Sequence, residues 1–123
     1  MNHQRLTQVS ASLAAKSNCK YRHGTIIVVS GGRIIGRGYN RWCPSKEFRS
    51  YWTLHSEIAA LLNTPDKNNL SGAVVSNCRI NSSGFWSNSE PCPTCKMILT
   101  EHGIKTIWYT NKVGKITKDN EDI

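Results

Sequence analysis

Leu6, Val9 and Leu13 recur at the spacing of one helix face among polar neighbours, so the pattern predicts an amphipathic first helix ending near Ser17. The period then shortens. In "GTIIVVSGGRIIGRGY" two β-branched runs flank Gly31-Gly32, the mark of a β-hairpin. "NRWCPSKEFRSYWT" has no clear period and reads as a long loop. A helix opens near His55, carries Ile58, Leu61 and Leu62 inward, and stops before Pro65. "GAVVSNCRI" predicts a third strand, and "NSSGFWSNSE" a loop rich in turn formers. Pro91 and Pro93 stand where a further helix would begin, since proline suits the first helical turn. Gly103 is placed to end it, and "IKTIWYT" predicts a fourth strand.

The order αββαβαβ implies helices packed on a sheet, an α/β sandwich. With no internal repeat, linker or low-complexity tract, residues 1–123 are expected to form one domain. A parallel fifth strand after Thr110 would need a crossover of about a dozen residues before the strand itself. The residues that follow are too few for both, so a fifth strand must be a short antiparallel return, which "YTNKVGKIT" with Gly114 can supply.

Charge adds a direction. Residues 1 to 46 carry eight Lys or Arg and no acidic residue, and the chain as a whole has a formal charge of +8. Such an imbalance attracts phosphate, on a nucleotide, a nucleic acid or a lipid surface. No apolar run approaches a membrane span, and the N-terminal residues do not read as a signal peptide, so an intracellular, cytoplasmic location is expected. Five cysteines exclude a fully paired disulfide framework, which directs attention to the close pair Cys92 and Cys95.

Alone, Cys92-x-x-Cys95 could be a redox pair, half of a structural zinc site or two unrelated thiols. No thioredoxin-like opening precedes it, which weakens the first. His55 supplies a third ligand type, and no fourth stands at local spacing. Three protein ligands with water as the fourth is the catalytic arrangement of zinc. Glu57 could then act on that water as a proton carrier. The alternative is that His55 and Glu57 merely cap a helix while the cysteines fill core. The i, i+3 spacing places both sulfurs on one face of a helix's first turn, whose positive end is expected to lower thiol pKa.

His55-Ser56-Glu57 followed by Pro91-Cys92-Pro93-Thr94-Cys95 resembles the H-x-E…P-C-x-x-C signature of the zinc nucleobase deaminases. From about residue 5 to residue 110 the chain resembles the cytidine/deoxycytidylate deaminase superfamily, and deoxycytidylate deaminases most. The resemblance implies a three-layer α/β/α sandwich with a mixed sheet of four to five strands. It implies zinc held by His55, Cys92 and Cys95, with Glu57 as the proton shuttle of hydrolytic deamination. "GRIIGRGYN" is similar to the family's second strand, whose closing asparagine contacts the substrate sugar, and that role carries to Asn40. Where the family usually has alanine with a backbone N–H on the base, this chain has Ser56, small enough to do the same.

The implied substrate is a cytosine nucleotide, dCMP or CMP. "SEPC" resembles deaminases of adenosine in tRNA, but these continue with a helix and a parallel last strand. Trp42, Phe48, Tyr51 and Trp52, with Arg41, Lys46 and Arg49 among them, and Phe85 with Trp86 suit stacking beside phosphate. A base in RNA or single-stranded DNA therefore stays open as a substrate, as does a non-catalytic module stabilised by zinc. Nucleic acid and further copies of the chain are the partner classes left open; a membrane is not expected. Arg22, Arg33, Arg37 and Arg41 are candidate phosphate contacts. Cys19 and His23 have no compact set of metal-binding partners and read as packing residues, while His3 is expected in a frayed end and His102 at a helix C-terminus.

Overall fold

The computed structural model describes residues 1–45, 50–67 and 70–119. An inner strand of its sheet is β1 (Arg22–Val29), where the residues from Gly24 to Val28 are all buried. A continuous buried run is what a strand covered on both faces requires. Ile26 and Val28 point to one face, Thr25 and Ile27 to the other.

β1 turns through Gly31 and Gly32, at φ 86° and 80°, into antiparallel β2 (Arg33–Tyr39), as the two β-branched runs predict. On its other side β1 pairs antiparallel with β5 (Val74–Ile80), and β5 pairs parallel with β7 (Thr106–Thr110). The expected antiparallel return is β8 (Ile116–Lys118), which folds back on β7 around Gly114. The sheet order is β2-β1-β5-β7-β8, with β6 (Trp86–Ser87) added to β5.

Helix α1 (His3–Ala14) covers one face, with Leu6 and Leu13 on Ile26 and Val28. Asn2 caps it by accepting from the Arg5 N–H. Gly24 sets the approach: a Cβ there would collide with the Ser10 carbonyl and reach 2.6 Å from the Ala14 nitrogen. Helices α2 (Ser56–Leu62) and α3 (Pro93–Glu101) cover the other face, where Ala60, Leu61 and Leu99 meet Ile27, Val75 and Ile107. Gly38 lets α2 settle on β2, since a Cβ there would strike the Ala60 N–H and stand 2.8 Å from the Ala59 Cβ. The three-layer α/β/α sandwich with a mixed sheet is the expected one.

Several expectations are corrected. The stretch read as a loop from Asn40 holds two paired strands, β3 (Arg41–Ser45) and β4 (Ser50–Leu54), off the main sheet. The ribbon pairs only within itself and not with the main sheet, and its residues show no clear alternation from which to read it. The "NSSGFWSNSE" loop contributes β6, after a turn in which Asn81 Oδ1 accepts from the Ser83 and Phe85 N–H groups. Helix α1 stops at Ala14 rather than near Ser17, because the Lys16 and Ser17 N–H groups bond tightly back to Leu13 and Ala14. Leu62 faces solvent; Ala59 and Ala60 take the inward positions, since close approach to β2 admits only small side chains. His3 lies in the first turn of α1 with its ring 3.9 Å from that of Trp108. His102 ends α3 as expected, its Nδ1 2.9 Å from the Ile98 carbonyl oxygen. Among the described residues no helix is long and apolar enough to cross a membrane.

Candidate active site

His55 is the N-cap of α2 and Cys92 the N-cap of α3, so the two helix starts meet. The local reason is proline: Pro93 at the first position of α3 fixes the turn, and Cys92 Sγ accepts from the Cys95 N–H at 3.5 Å. His55 Nδ1 lies 3.3 Å from Cys95 Sγ and 3.7 Å from Cys92 Sγ, and all three donor atoms lie within 4.8 Å of one another. Around a tetrahedral zinc, with sulfur about 2.3 Å and nitrogen about 2.0–2.1 Å away, N and S donors stand about 3.6 Å apart. The three residues therefore fit that ion.

Electrostatics agree. Burial, then the Glu57 carboxylate and the Cys92 side chain, raise the Cys95 thiol well above its ordinary value. The expected lowering at a helix start is thus outweighed here by desolvation and negative neighbours. Buried thiols beside a carboxylate are poor anions by themselves and good ones around a divalent cation. Cys78 is a contrasting thiol, pushed up to about 12 by burial and belonging to no metal-binding group among the described residues.

Glu57 is 7% exposed and lines one cavity with His55 and Cys92. Its Oε1 accepts a hydrogen bond from the Ser56 hydroxyl at 3.0 Å. Ser56, the first residue of α2, is itself almost wholly buried and lies in the cavity wall. As a first-turn residue its backbone N–H has no intrahelical partner.

The cavity, about 460 Å³, is of a size for a nucleotide-sized ligand. Asn40 is in its wall and strongly constrained: Oδ1 accepts from the His23 N–H at 2.8 Å, and Nδ2 donates to the Tyr21 carbonyl at 2.6 Å. Trp42, half exposed, and Thr53 reach it from the β3–β4 ribbon. Cys19 and His23 line it too, and neither belongs to a second metal-binding group among the described residues. Burial, then Arg79 and His55, lower the His23 pKa to about 4, so its imidazole is neutral over the physiological range.

The arginines singled out from the sequence do not line this cavity. Arg22 donates to the Asn81 carbonyl at 3.0 Å, and Arg33 lies beside Val29 and Pro65 in a separate hollow. The cation in the wall, among the described residues, is Lys20, which the sequence reading passed over. Next to it the Tyr21 ring carries the Arg79 guanidinium 4.6 Å away and Lys20 Nζ 5.4 Å away. Ser89 and Glu90 were also missed, although they immediately precede Pro91 and Cys92. Of the expected aromatics, Phe85 is largely exposed and outside the cavity wall, and Trp86 belongs to β6. Lys46, Phe48 and Arg49 lie outside the described residues.

Known proteins are similar to this chain. The family model for the cytidine and deoxycytidylate deaminase zinc-binding region matches residues 1–111. A deoxycytidylate deaminase of Schizosaccharomyces pombe is 31% identical over 119 residues; the match covers 80% of this chain and 34% of that one. The chain thus spans about a third of that relative's length. Among solved structures, the dCMP deaminase of cyanophage S-TIM5 is 24% identical at a TM-score of 0.65, covering 89% of this chain and 82% of the other. Cytidine deaminase from Burkholderia pseudomallei is 17% identical at a TM-score of 0.70, covering 98% and 93%. These two likenesses show the fold. The family model, which takes in the His55, Cys92 and Cys95 group at the two helix starts, shows more: the chain belongs to the cytidine and deoxycytidylate deaminase family, whose zinc-binding region it contains.

Proposed function

We propose that the protein is a zinc-dependent hydrolase that deaminates a cytosine nucleotide, dCMP or CMP, to the uracil nucleotide. The observation that carries this is the meeting of His55, Cys92 and Cys95 with the buried carboxylate of Glu57 in one cavity wall. His55, Cys92 and Cys95 would hold the zinc, which when bound makes a water nucleophilic near neutral pH. Glu57 is not one of the three donors, so its carboxylate is left to take a proton from that water. It delivers that proton to the ring nitrogen, then takes the second proton from the oxygen added to the ring and passes it to the departing amine. The water oxygen bonds to the amine-bearing ring carbon, the C–N bond breaks, and the nitrogen leaves as ammonia. Ser56, at a helix start, offers its backbone N–H to the base, and Asn40 is held rigidly enough to contact the sugar.

Two facts favour a nucleotide over a nucleoside. The Schizosaccharomyces pombe relative is a deoxycytidylate deaminase, and the cyanophage enzyme has been solved in complex with dCMP and dUMP. Lys20 stands in the cavity wall, where an ammonium can meet a 5′-phosphate. The test is ammonia release from dCMP, CMP, deoxycytidine, cytidine and a cytosine-containing single-stranded oligonucleotide by zinc-loaded protein. Turnover of dCMP or CMP well above both nucleosides is expected, with Lys20→Ala raising KM for the nucleotide about tenfold. Ammonia from none of the five, or from the oligonucleotide alone, would reject the reading.

A further inference from the structure

Behind Glu57 a row of buried polar side chains crosses the interior. Ser56 begins α2, Thr25 lies on β1, Asn77 on β5, Ser89 before α3 and Thr110 on β7. Each is at most 2% exposed. Ser56 Oγ donates to Glu57 Oε1 at 3.0 Å, and the Thr25 hydroxyl stands 2.7 Å from both Ser56 Oγ and Asn77 Oδ1. Asn77 Nδ2 donates to the Ser89 carbonyl at 3.4 Å, and the Ser89 and Thr110 hydroxyls are 3.0 Å apart. The register explains the encounter: Thr25 and Asn77 are direct cross-strand partners on the face that α2 covers.

Folding alone does not call for these hydroxyls at positions 25 and 56. Replacing both partners of a buried hydrogen bond by apolar groups of similar shape can be neutral for stability. What an apolar pair could not do is grip the carboxylate. Glu57 has three rotatable side-chain bonds and sits at the edge of a cavity of about 460 Å³. A carboxylate so placed has room to swing, and a misplacement of about 1 Å can cost a reaction about a hundredfold. Ser56 fixes one oxygen, the Thr25 hydroxyl fixes Ser56 by donating to its Oγ, and the other oxygen is left for proton transfer.

We propose that Ser56, backed by Thr25, is a positioning residue that holds the Glu57 carboxylate in its working orientation. This rests on the reading of Glu57 as the proton carrier. The test compares zinc-loaded wild type, Ser56→Ala, Thr25→Val and Thr25→Ser by steady-state kinetics on dCMP and CMP, zinc content and crystal structure. Ser56→Ala is expected to lower kcat about ten- to a hundredfold, with KM and zinc content within about twofold of wild type. Thr25→Val should lower kcat about fivefold and Thr25→Ser, which keeps the hydroxyl, should restore it to within about twofold. In the Ser56→Ala crystal the Glu57 carboxylate should be displaced or split between conformers. A wild-type kcat in Ser56→Ala, an unmoved Glu57 there, or Thr25→Ser as slow as Thr25→Val would each overturn the proposal. A wild type inert on both nucleotides would reject the functional reading instead, and the position of Glu57 in the two crystals would still decide the positioning role.

Discussion

The face of the sheet under α2 and α3 has two ends that are equally buried and chemically opposite. At one end Ile27, Val75 and Ile107 pack with Ala60, Leu99 and Ile104. At the other, one strand position pair along, Thr25 and Asn77 meet Ser56, Ser89 and Glu57. The apolar end gains from burial alone, at roughly 1.5–3 kcal/mol for each large side chain. The polar end gains little, because each group there has exchanged water for a protein partner. The difference teaches where this fold keeps its stability and where the proposed chemistry would sit. They adjoin, so the core forms a rigid floor for the site.

The comparison should break most completely at the metal. Cys95→Ala removes a buried ligand and lets the two helix starts part, so zinc content, ammonia release and melting temperature should all collapse together. Elemental analysis beside thermal melting checks this, and a variant that melts as wild type without zinc would separate metal from fold.

Glu57→Gln should sharpen the contrast from the polar end. A loss of about 10²–10⁴ in kcat is expected for a proton-transfer group. Zinc content and melting temperature should stay near wild type, since Glu57 is not among the three donors. Loss of zinc in this variant would show that the carboxylate serves the metal instead.

Leu99→Ala probes the apolar end. Leu99 is fully buried, so about 2–5 kcal/mol of stability should be lost on urea unfolding, while kcat at 20 °C stays within about twofold. A variant as slow as Glu57→Gln would mean that floor and site are not separable.

The smallest effect belongs to His23, beside the cavity. Its pKa is lowered from 6.5 to about 4, chiefly by burial, so between those values the unfolded chain binds a proton that the native one refuses. Stability should therefore fall as pH drops from 6.5 towards 4, by on the order of 2 kcal/mol from this group. His23→Gln should lose less than wild type over that window in thermal melts. Equal losses would assign the pH dependence to other groups.

The sequence by itself determined the element order, because helix and strand periods are short-range properties of neighbouring residues. The β-branched runs around Gly31 and Gly32, the prolines at the start of α3 and Gly103 after it mark boundaries that the structure keeps. The trio that could hold a metal was readable for the same reason: the Cys92–Cys95 spacing is one helical turn, and His55 and Glu57 stand beside a helix start. The β3–β4 ribbon left no such trace, since its residues show no clear period.

Tertiary structure alone decided which distant side chains meet. Nothing local joins Thr25 to Ser56 and Asn77, or brings Lys20 rather than an arginine to the cavity wall. Those encounters depend on the register of β1 against β5, and a slip of one residue would turn Thr25 to the opposite face. They depend equally on Gly38, which lets α2 come close enough to β2 for Ser56 to reach Thr25. Periodicity marks which faces are apolar, but it carries no record of the register that sets one strand's polar residue against another's.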